Sequence, residues 1–197
     1  MAETDEELVA AFRGGDLSAF DTLVHRWERK IQGAIYRIMG SSEDARDLAQ
    51  EAFLRAYRGL PTFKSEARFS SWLYQIALNL CRDRLRQRRG KTLVSIDDLD
   101  AATAARIERT GATAQDMVEA QDLGRMVAAV MSELPEEQRE VITLKEYQGL
   151  TFQEIADTLE VPVSTVKTRL YRGLVQMRER LERQGVRRPA PAPAPLT

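Results

Sequence analysis

The sequence predicts an all-α protein: two small helical bundle domains joined by an acidic linker, the second containing a helix-turn-helix. Apolar residues recur every three or four positions through most of the 197 residues, which is the period of an amphipathic helix. No segment shows the strict alternation of a half-buried strand. Large apolar residues become sparse after Thr92, where acidic residues accumulate. The expected parts are a first domain over residues 1–91, a linker over 92–116, a second domain over 117–184 and a disordered Pro/Ala tail over 185–197.

The first two helices of the first domain have clear boundaries. Thr4 and Glu7 have the spacing of a capping box, and the glycine pair at 14–15 ends the short helix that follows. The second helix stops at Gly40. Its predicted apolar stripe consists of Leu17, Phe20, Val24, Trp27, Ile31, Ile35 and Ile38.

A third helix follows at once. Ser41 or Ser42 can cap its start, while Gly59 and Pro61 end it. The inward face is predicted to be Ala45, Leu48, Ala49, Ala52, Phe53 and Ala56. Its opposite face is polar and therefore free for a partner.

The fourth helix, predicted over residues 71–89, joins aromatic residues to a dense run of cations. The aromatic residues in and after the preceding loop are Phe63, Phe69, Trp72 and Tyr74. The cations are Arg82, Arg84, Arg86, Arg88, Arg89 and Lys91. Cations at a helix C-terminus can simply suit the helix dipole. They can also follow a phosphate backbone, and neighbouring rings can stack unpaired bases, although a tryptophan such as Trp72 is more often a core residue.

The second domain ends in the predicted helix-turn-helix. Pro135 and Gly149 bound one helix, and Thr151 with Glu154 forms a capping box at the start of a short helix over 152–159. A tight turn and a long last helix follow. The inner faces are predicted to be Phe152, Ile155, Ala156, Leu159, Val161, Val166, Leu170, Leu174, Met177 and Leu181.

The outer face of the last helix carries hydroxyl groups and cations: Ser164, Thr165, Lys167, Thr168, Tyr171 and Arg172. A B-DNA major groove admits one α-helix, and Arg and Lys can donate to its base edges. The alternative is a helical hairpin with a solvated charged face.

Composition argues against a catalytic site, a metal site and a cofactor. The only histidine, His25, lies beside Val24 on an early helix, and the only cysteine, Cys81, reads as a packing residue. No apolar run reaches the length of a membrane span. The acidic start "MAETDEEL" lacks the layout of a signal peptide. We therefore expect a cytoplasmic protein that is not an enzyme. The net charge of −1 is an average over the chain: cations concentrate at the ends of the two domains, and acidic residues concentrate in the linker between them.

Three segments in this order resemble the extracytoplasmic-function (group IV) sigma factors of bacterial RNA polymerase. "DARDLAQEAFLRAYRGL" resembles the helix that binds core polymerase. "FSSWLYQIALNLCRDRLRQRR" resembles the helix that opens and reads the minus-10 element. The segment from Leu134 to Leu181 resembles the domain that reads the minus-35 element. One departure is Glu160, which stands in the turn where a glycine is frequent.

The resemblance implies a role for named residues. The polymerase-binding face, which docks on the β′ clamp, would be Asp47, Gln50, Glu51 and Arg55. Loop 62–69 would hold a flipped base, and the minus-10 contacts would be Lys64, Ser65, Arg68, Phe69, Asn79, Arg82, Arg86 and Arg89. The minus-35 contacts would be Ser164, Thr165, Lys167, Thr168, Tyr171 and Arg172. Expected partners are core RNA polymerase through its β′ clamp and β subunits, promoter DNA and an anti-sigma factor.

Two other functions stay open from the residues alone. An autonomous helix-turn-helix regulator accounts for the second domain but leaves "DLAQEAF" and the aromatic–arginine segment unused. A small nucleic-acid enzyme lacks any candidate nucleophile or metal cluster in the sequence.

Overall fold

A computed structural model describes residues 3–63, 68–91 and 114–186 of the chain, with the backbone alone for residues 90–91 and 114–122. These residues form eight α-helices and no β-strand, which confirms the predicted all-α class. The helices are α1 (Asp5–Arg13), α2 (Ser18–Met39), α3 (Ser42–Gly59), α4 (Phe69–Lys91), α5 (Ala114–Ser132), α6 (Glu136–Ile142), α7 (Phe152–Leu159) and α8 (Val163–Arg183). A 3-10 turn at Leu60–Thr62 follows α3, and a π-helical turn at Thr143–Tyr147 follows α6.

Helices α1 to α4 pack as the N-terminal bundle around α2. The Thr4–Glu7 capping box is present, Gly40 ends α2 in the left-handed conformation, and Ser41 caps α3. Most of the predicted apolar stripe of α2 is buried, with Ile31 and Ile38 fully inaccessible to solvent and Val24 partly buried. The prediction is wrong for Leu17, which precedes the first turn of α2 and whose side chain is 61% exposed.

A buried carboxylate ties α3 to α4. Asp44 is 3% exposed in the first turn of α3, where a negative charge suits the helix dipole. Its Oδ1 accepts a hydrogen bond of 2.7 Å from Arg84 Nη1, and its Oδ2 accepts one from Arg88 Nη2. Part of the arginine run of α4 therefore holds the bundle together, and these two cations are not simply solvated.

Helix α8 crosses α6 in the C-terminal domain at a glycine. Gly173 is buried, and a β carbon built there would lie 2.7 Å from Cδ1 of Ile142 and 3.2 Å from Cβ of Gln138. The buried positions of α8 thus step from Val166 to Leu170 to Gly173. Leu174, predicted on the inner face, is 36% exposed, because the closest approach of the helices falls one position earlier.

The turn between α7 and α8 bends at Glu160. This residue adopts φ 56° and ψ 43°, the left-handed conformation that glycine takes without a steric penalty. Its backbone N–H donates to the carbonyl of Ala156, and Val161 N donates to the same oxygen at 3.1 Å. The turn therefore keeps the shape that a glycine would give it, at the cost of strain in a glutamate backbone.

We expect Glu160→Gly to stabilise the C-terminal domain by up to about 1 kcal/mol, because it removes the β carbon from a left-handed residue. Thermal unfolding followed by circular dichroism measures the change. Glu160→Ala is the matched control, since it deletes the same carboxylate but keeps the β carbon. Equal melting temperatures for the two variants would contradict the strain assigned to this residue.

Parts of the predicted domain boundaries lie outside the described residues. This applies to residues 92–113 of the linker and to 187–197 of the tail. Residues 114–116, predicted as linker, already belong to α5, which the helix-favouring Ala114 and Gln115 begin. None of the described helices combines the length and the apolar character that crossing a membrane requires.

Candidate nucleic-acid interface

The outer face of α8 presents the residues predicted to read a major groove. Ser164, Lys167, Thr168, Tyr171 and Arg172 are exposed, and Thr165 is half-buried at the first turn. Tyr171 is 60% exposed, which is unusual for so large a ring. The buried Val166 and Leu170 on the opposite face fix the orientation of this surface. One helix face thus combines hydroxyl, aromatic and cationic groups free for a ligand.

Contacts at the start of α8 position two of these side chains. Lys167 Nζ lies 5.5 Å from the ring centroid of Phe152 on α7, within the range of a cation–π contact. Thr168 Oγ1 donates to the carbonyl of Ser164 at 2.9 Å. Arg169, which was not assigned to DNA, instead pairs with Glu137 on α6 at 3.0 Å. The ammonium of Lys167 is therefore held near the helix-turn-helix turn.

The outer face of α3 is the predicted polymerase-binding surface. Asp47, Gln50 and Arg55 are exposed there, and Glu51 is half-buried. Arg55 Nε donates to Glu51 Oε1 at 2.8 Å. The inward face is buried as predicted, at Ala45, Leu48, Ala49, Ala52, Phe53 and Ala56. Leu54 is a residue that the prediction missed: it lies one turn after Gln50 on the outer face and is 45% exposed.

The predicted minus-10 residues are spread along α4 and the loop before it. Lys64 and Ser65 lie outside the described residues. Asn79 is exposed, and its Oδ1 accepts a hydrogen bond of 3.1 Å from Arg82 Nη1. Arg86 is exposed and pairs with Asp83 on its own helix. Asn79, Arg82 and Arg86 therefore do come together on one side of α4.

The position of Phe69 does not agree with its assignment as a DNA contact. Its side chain is fully buried at the start of α4, so it cannot reach a base in this arrangement. Its ring centroid lies 6.5 Å from that of Phe63 and 6.1 Å from that of Trp72. The three rings form an aromatic cluster at the start of α4, because an apolar ring at the helix start is driven into the bundle core.

Arg82 forms the most buried ion pair between the two domains. Its Nε donates to Glu140 Oε1 and its Nη2 to Glu140 Oε2, both at 2.7 Å, while Glu140 is 1% exposed on α6. This is the bidentate geometry in which a guanidinium matches a carboxylate. Burial raises the pKa of the Glu140 carboxyl, and the hydrogen bonds from Arg82 counter that rise. The same bonds raise the pKa of the Arg82 guanidinium.

Further polar contacts join α4 and its preceding loop to the C-terminal domain. Arg68 pairs with Glu154 on α7, and Arg89 Nη2 lies 3.5 Å from Glu136 Oε2 on α6. The side-chain amide of Gln75 donates to Glu160 Oε1 at 2.7 Å. The hydroxyl of Tyr74 donates to Gln148 Oε1 at 2.8 Å. Three predicted minus-10 arginines, Arg68, Arg82 and Arg89, thus face carboxylates of the other domain.

The acidic side of this interface was missed by sequence reasoning. No pattern distinguishes Glu140 from Glu136 or Glu137 on the same helix, because pairing between domains depends on how the bundles meet. The sequence marks Glu160 only by its position in the turn. The described residues contain no group of three or more His, Cys, Asp and Glu side chains that could hold a metal ion. Burial raises the pKa of the Cys81 thiol to about 12, which leaves it neutral and unreactive.

Two family models match the two halves of the chain. Sigma-70 region 2 matches residues 23–91, and Sigma-70 region 4 matches residues 124–177. The RNA polymerase sigma-H factor of Pseudomonas aeruginosa is 34% identical over 173 residues, which cover 86% of this chain and 90% of that protein. The ECF RNA polymerase sigma-E factor of Escherichia coli K12 is 36% identical over 174 residues, with the same coverage. The chain belongs to the ECF sigma factors of RNA polymerase. The predicted family is thereby confirmed.

Solved structures share the fold of this chain. A structure of CnrH in complex with the cytosolic domain of CnrY superposes with a TM-score of 0.68 at 24% identity, covering 92% of this chain and 99% of that one. The sigma factor RpoE of Bartonella quintana, solved with the anti-sigma factor NepR, gives 0.65 at 19% identity, covering 84% and 98%. In this sigma factor, region 2 thus contains α3 and α4, and region 4 contains α6 to α8.

Proposed function

We propose that the chain is an alternative sigma factor, a non-catalytic subunit that binds core RNA polymerase in the cytoplasm and directs it to specific promoters. The observation that carries this proposal is the presence on one chain of three separate surfaces. They are the polar outer face of α3, the arginine side of α4 and the exposed outer face of α8. The two sigma-region matches include all three surfaces.

Each surface has a physical basis for its proposed partner. The α3 face adds the exposed Leu54 to Asp47, Gln50 and Arg55, giving the mix of apolar and charged groups that suits a protein partner such as the β′ clamp. Arg82 and Arg89 on α4 suit phosphates, and the exposed Asn79 amide can both donate to and accept from a flipped base. Helix α8 presents donors to the minus-35 major groove.

An anti-sigma factor is a further proposed partner. CnrH and the Bartonella quintana sigma factor were each solved with a second protein bound, named as an anti-sigma factor in the latter case. In the present chain, the exposed α3 and α8 faces offer surface for such a protein.

Transcription in a purified system tests the function. Run-off synthesis from a library of upstream sequences should occur only when this chain and core polymerase are both present, and selection should enrich two short elements. The chain should also co-elute with core polymerase in size-exclusion chromatography. Tight duplex binding without polymerase, combined with no effect on the polymerase, would instead support an autonomous helix-turn-helix regulator.

Arg172→Ala is expected to weaken minus-35 recognition by about 1–3 kcal/mol if the guanidinium makes a bidentate contact with a base. The loss should be confined to promoters carrying the preferred base. The measurement is the promoter preference of the reconstituted holoenzyme. Arg178→Ala is the matched control, because Arg178 is exposed further along α8 and pairs with Glu182. Unchanged preference in the Arg172 variant would remove this residue from the base contacts.

A further inference from the structure

We propose that the residues that follow α8 fold back along this helix and cover an apolar strip formed by Tyr171, Leu174 and Val175. The covering segment is "RRPAPAPAPLT", residues 187–197, which lies outside the described residues. Tyr171 also belongs to the predicted minus-35 contacts, so a covered strip would compete with promoter DNA. This competition rests on the proposed function, whereas the covering of the strip does not.

The apolar strip is exposed in the middle of α8. Tyr171 is 60%, Val175 is 51% and Leu174 is 36% exposed, so three large apolar side chains within five positions face solvent. Leu174 and Val175 lie outside the predicted minus-35 contacts, and neither side chain has a hydrogen-bond donor for a base or a phosphate. A contiguous exposed apolar surface is typical of a site that another segment or protein covers.

The end of α8 turns the chain toward this strip. Gly185 has φ 85°, and its N–H donates to the carbonyl of Glu182 at 3.1 Å. The N–H of Val186 donates to the carbonyl of Leu181 at 3.0 Å. These are the two hydrogen bonds of a Schellman motif, which ends a helix and folds the backbone over its last turn. Leu181 lies two turns after Leu174 and on the same side of α8, so the chain leaves the helix on the side of the strip.

The segment is long enough and apolar enough to cover the strip. Ten positions of α8 separate Leu181 from Tyr171, which is about 15 Å at the rise of an α-helix. The eleven residues 187–197 can span about 34 Å in the polyproline-type conformation that their composition favours. That conformation repeats every three residues, so the alternating Pro and Ala at 189–195 give it apolar groups on every side. Any side of it can therefore meet the strip.

Covalent attachment favours this segment over a separate partner. A polyproline-type chain loses little conformational entropy when it docks, and aromatic rings are its usual contact surface. Tyr171 supplies such a ring at the far end of the strip. A short tether through Val186 gives an effective concentration on the order of millimolar. A contact with a millimolar dissociation constant would thus cover the strip about half of the time, and a separate partner would have to displace the segment.

Paramagnetic relaxation tests the covering directly in the full chain. Leu196→Cys places a nitroxide label on the segment, and the native Cys81 is fully buried and out of reach of the reagent. We expect the methyl signals of Leu174 and Val175 to broaden, while those of Leu54 on α3 stay sharp.

The matched control carries the same label on a segment with Pro191→Gly and Pro193→Gly, which remove the preference for the extended conformation. Its broadening should be at least threefold weaker, and equal broadening in the two chains would overturn the covering. A mixture of nitroxide-labelled and isotope-labelled chains separates a second copy from the same chain. Broadening in that mixture would assign the strip to a second copy and contradict the proposal.

The second test measures competition with DNA. Fluorescence anisotropy of a labelled duplex that carries the minus-35 element selected in the run-off experiment gives the affinity of the chain. Pro191→Gly with Pro193→Gly should bind this duplex at least about twofold more tightly than the wild type, because the covered fraction lowers the apparent affinity. The duplex affinity of Leu174→Ser with Val175→Ser should rise equally, and adding the two proline changes should raise it no further.

The control for the strip variant is Leu17→Ser with Leu123→Ser, the same change at exposed residues outside α8, and it should leave the affinity unchanged. Equal affinities for all these chains would rule out the competition with DNA. Core-dependent transcription by the wild-type chain is measured separately. Its absence would refute the proposed function without altering the relaxation result, whereas its presence beside equal broadening would refute the covering alone.

Discussion

Phe69→Ala is expected to destabilise the N-terminal bundle by about 3–5 kcal/mol, because the ring is fully buried and its removal leaves a cavity at the start of α4. The neighbouring rings of Phe63 and Trp72 would each lose their contact with the ring of Phe69. Thermal or denaturant unfolding measures the loss. Such a loss is a large part of the stability of an ordinary domain, so promoter opening should fail together with the fold.

Phe69→Leu separates a supporting role from a DNA contact. Leucine retains much of the apolar volume but cannot stack on a base. We expect this variant to stay folded and to open promoters at nearly the wild-type rate, measured by permanganate footprinting with core polymerase. A folded Phe69→Leu variant that cannot open promoters would return Phe69 to the DNA-contacting set.

Gly173→Val is expected to destabilise the C-terminal domain by about 1–3 kcal/mol, because its side chain would overlap Ile142 at the crossing of α8 and α6. Ile142 is 1% exposed, so its side chain is enclosed by neighbouring residues and cannot swing out into solvent. Helix α8 should then tilt or detach, and its DNA-reading face with it. Chemical denaturation measures the stability, and minus-35-dependent transcription measures the function.

The overlapping atom provides a direct control. Ile142→Val deletes Cδ1, the atom nearest to a β carbon at residue 173, so it should recover part of the loss when combined with Gly173→Val. Gly173→Ala should destabilise the domain less than Gly173→Val does, because the alanine side chain overlaps less with Ile142. Its higher helix propensity also offsets about 1 kcal/mol of the loss. Strictly additive effects of Gly173→Val and Ile142→Val would contradict close packing at this crossing.

Local signals in the sequence were sufficient for the helices and most of their caps. The capping boxes at Thr4 and Thr151 and the stop at Gly40 all have short-range causes, and each is present in the structure. The errors lie where a helix meets another element. Leu174 satisfies the helical period, yet Gly173 makes the contact, because the crossing point of two helices depends on their relative placement.

The candidate site was predictable only where one helix carries it. The outer faces of α3 and α8 follow from periodicity, and their exposure agrees with it. The interface carboxylates did not follow, because Arg82 and Glu140 are 58 residues apart and nothing local connects them. The burial of Phe69 did not follow from the sequence for a related reason: an aromatic residue beside cations has the same local pattern whether it faces a ligand or packs inside the bundle.

The pairing of Arg82 with Glu140 has a consequence for ionic strength. Salt screens exposed charges most strongly, and Glu140 is 1% exposed. Rising ionic strength should therefore weaken the exposed pair of Arg86 with Asp83 before it weakens this one. Arg82 should keep its position on α4 at salt concentrations that release Arg86.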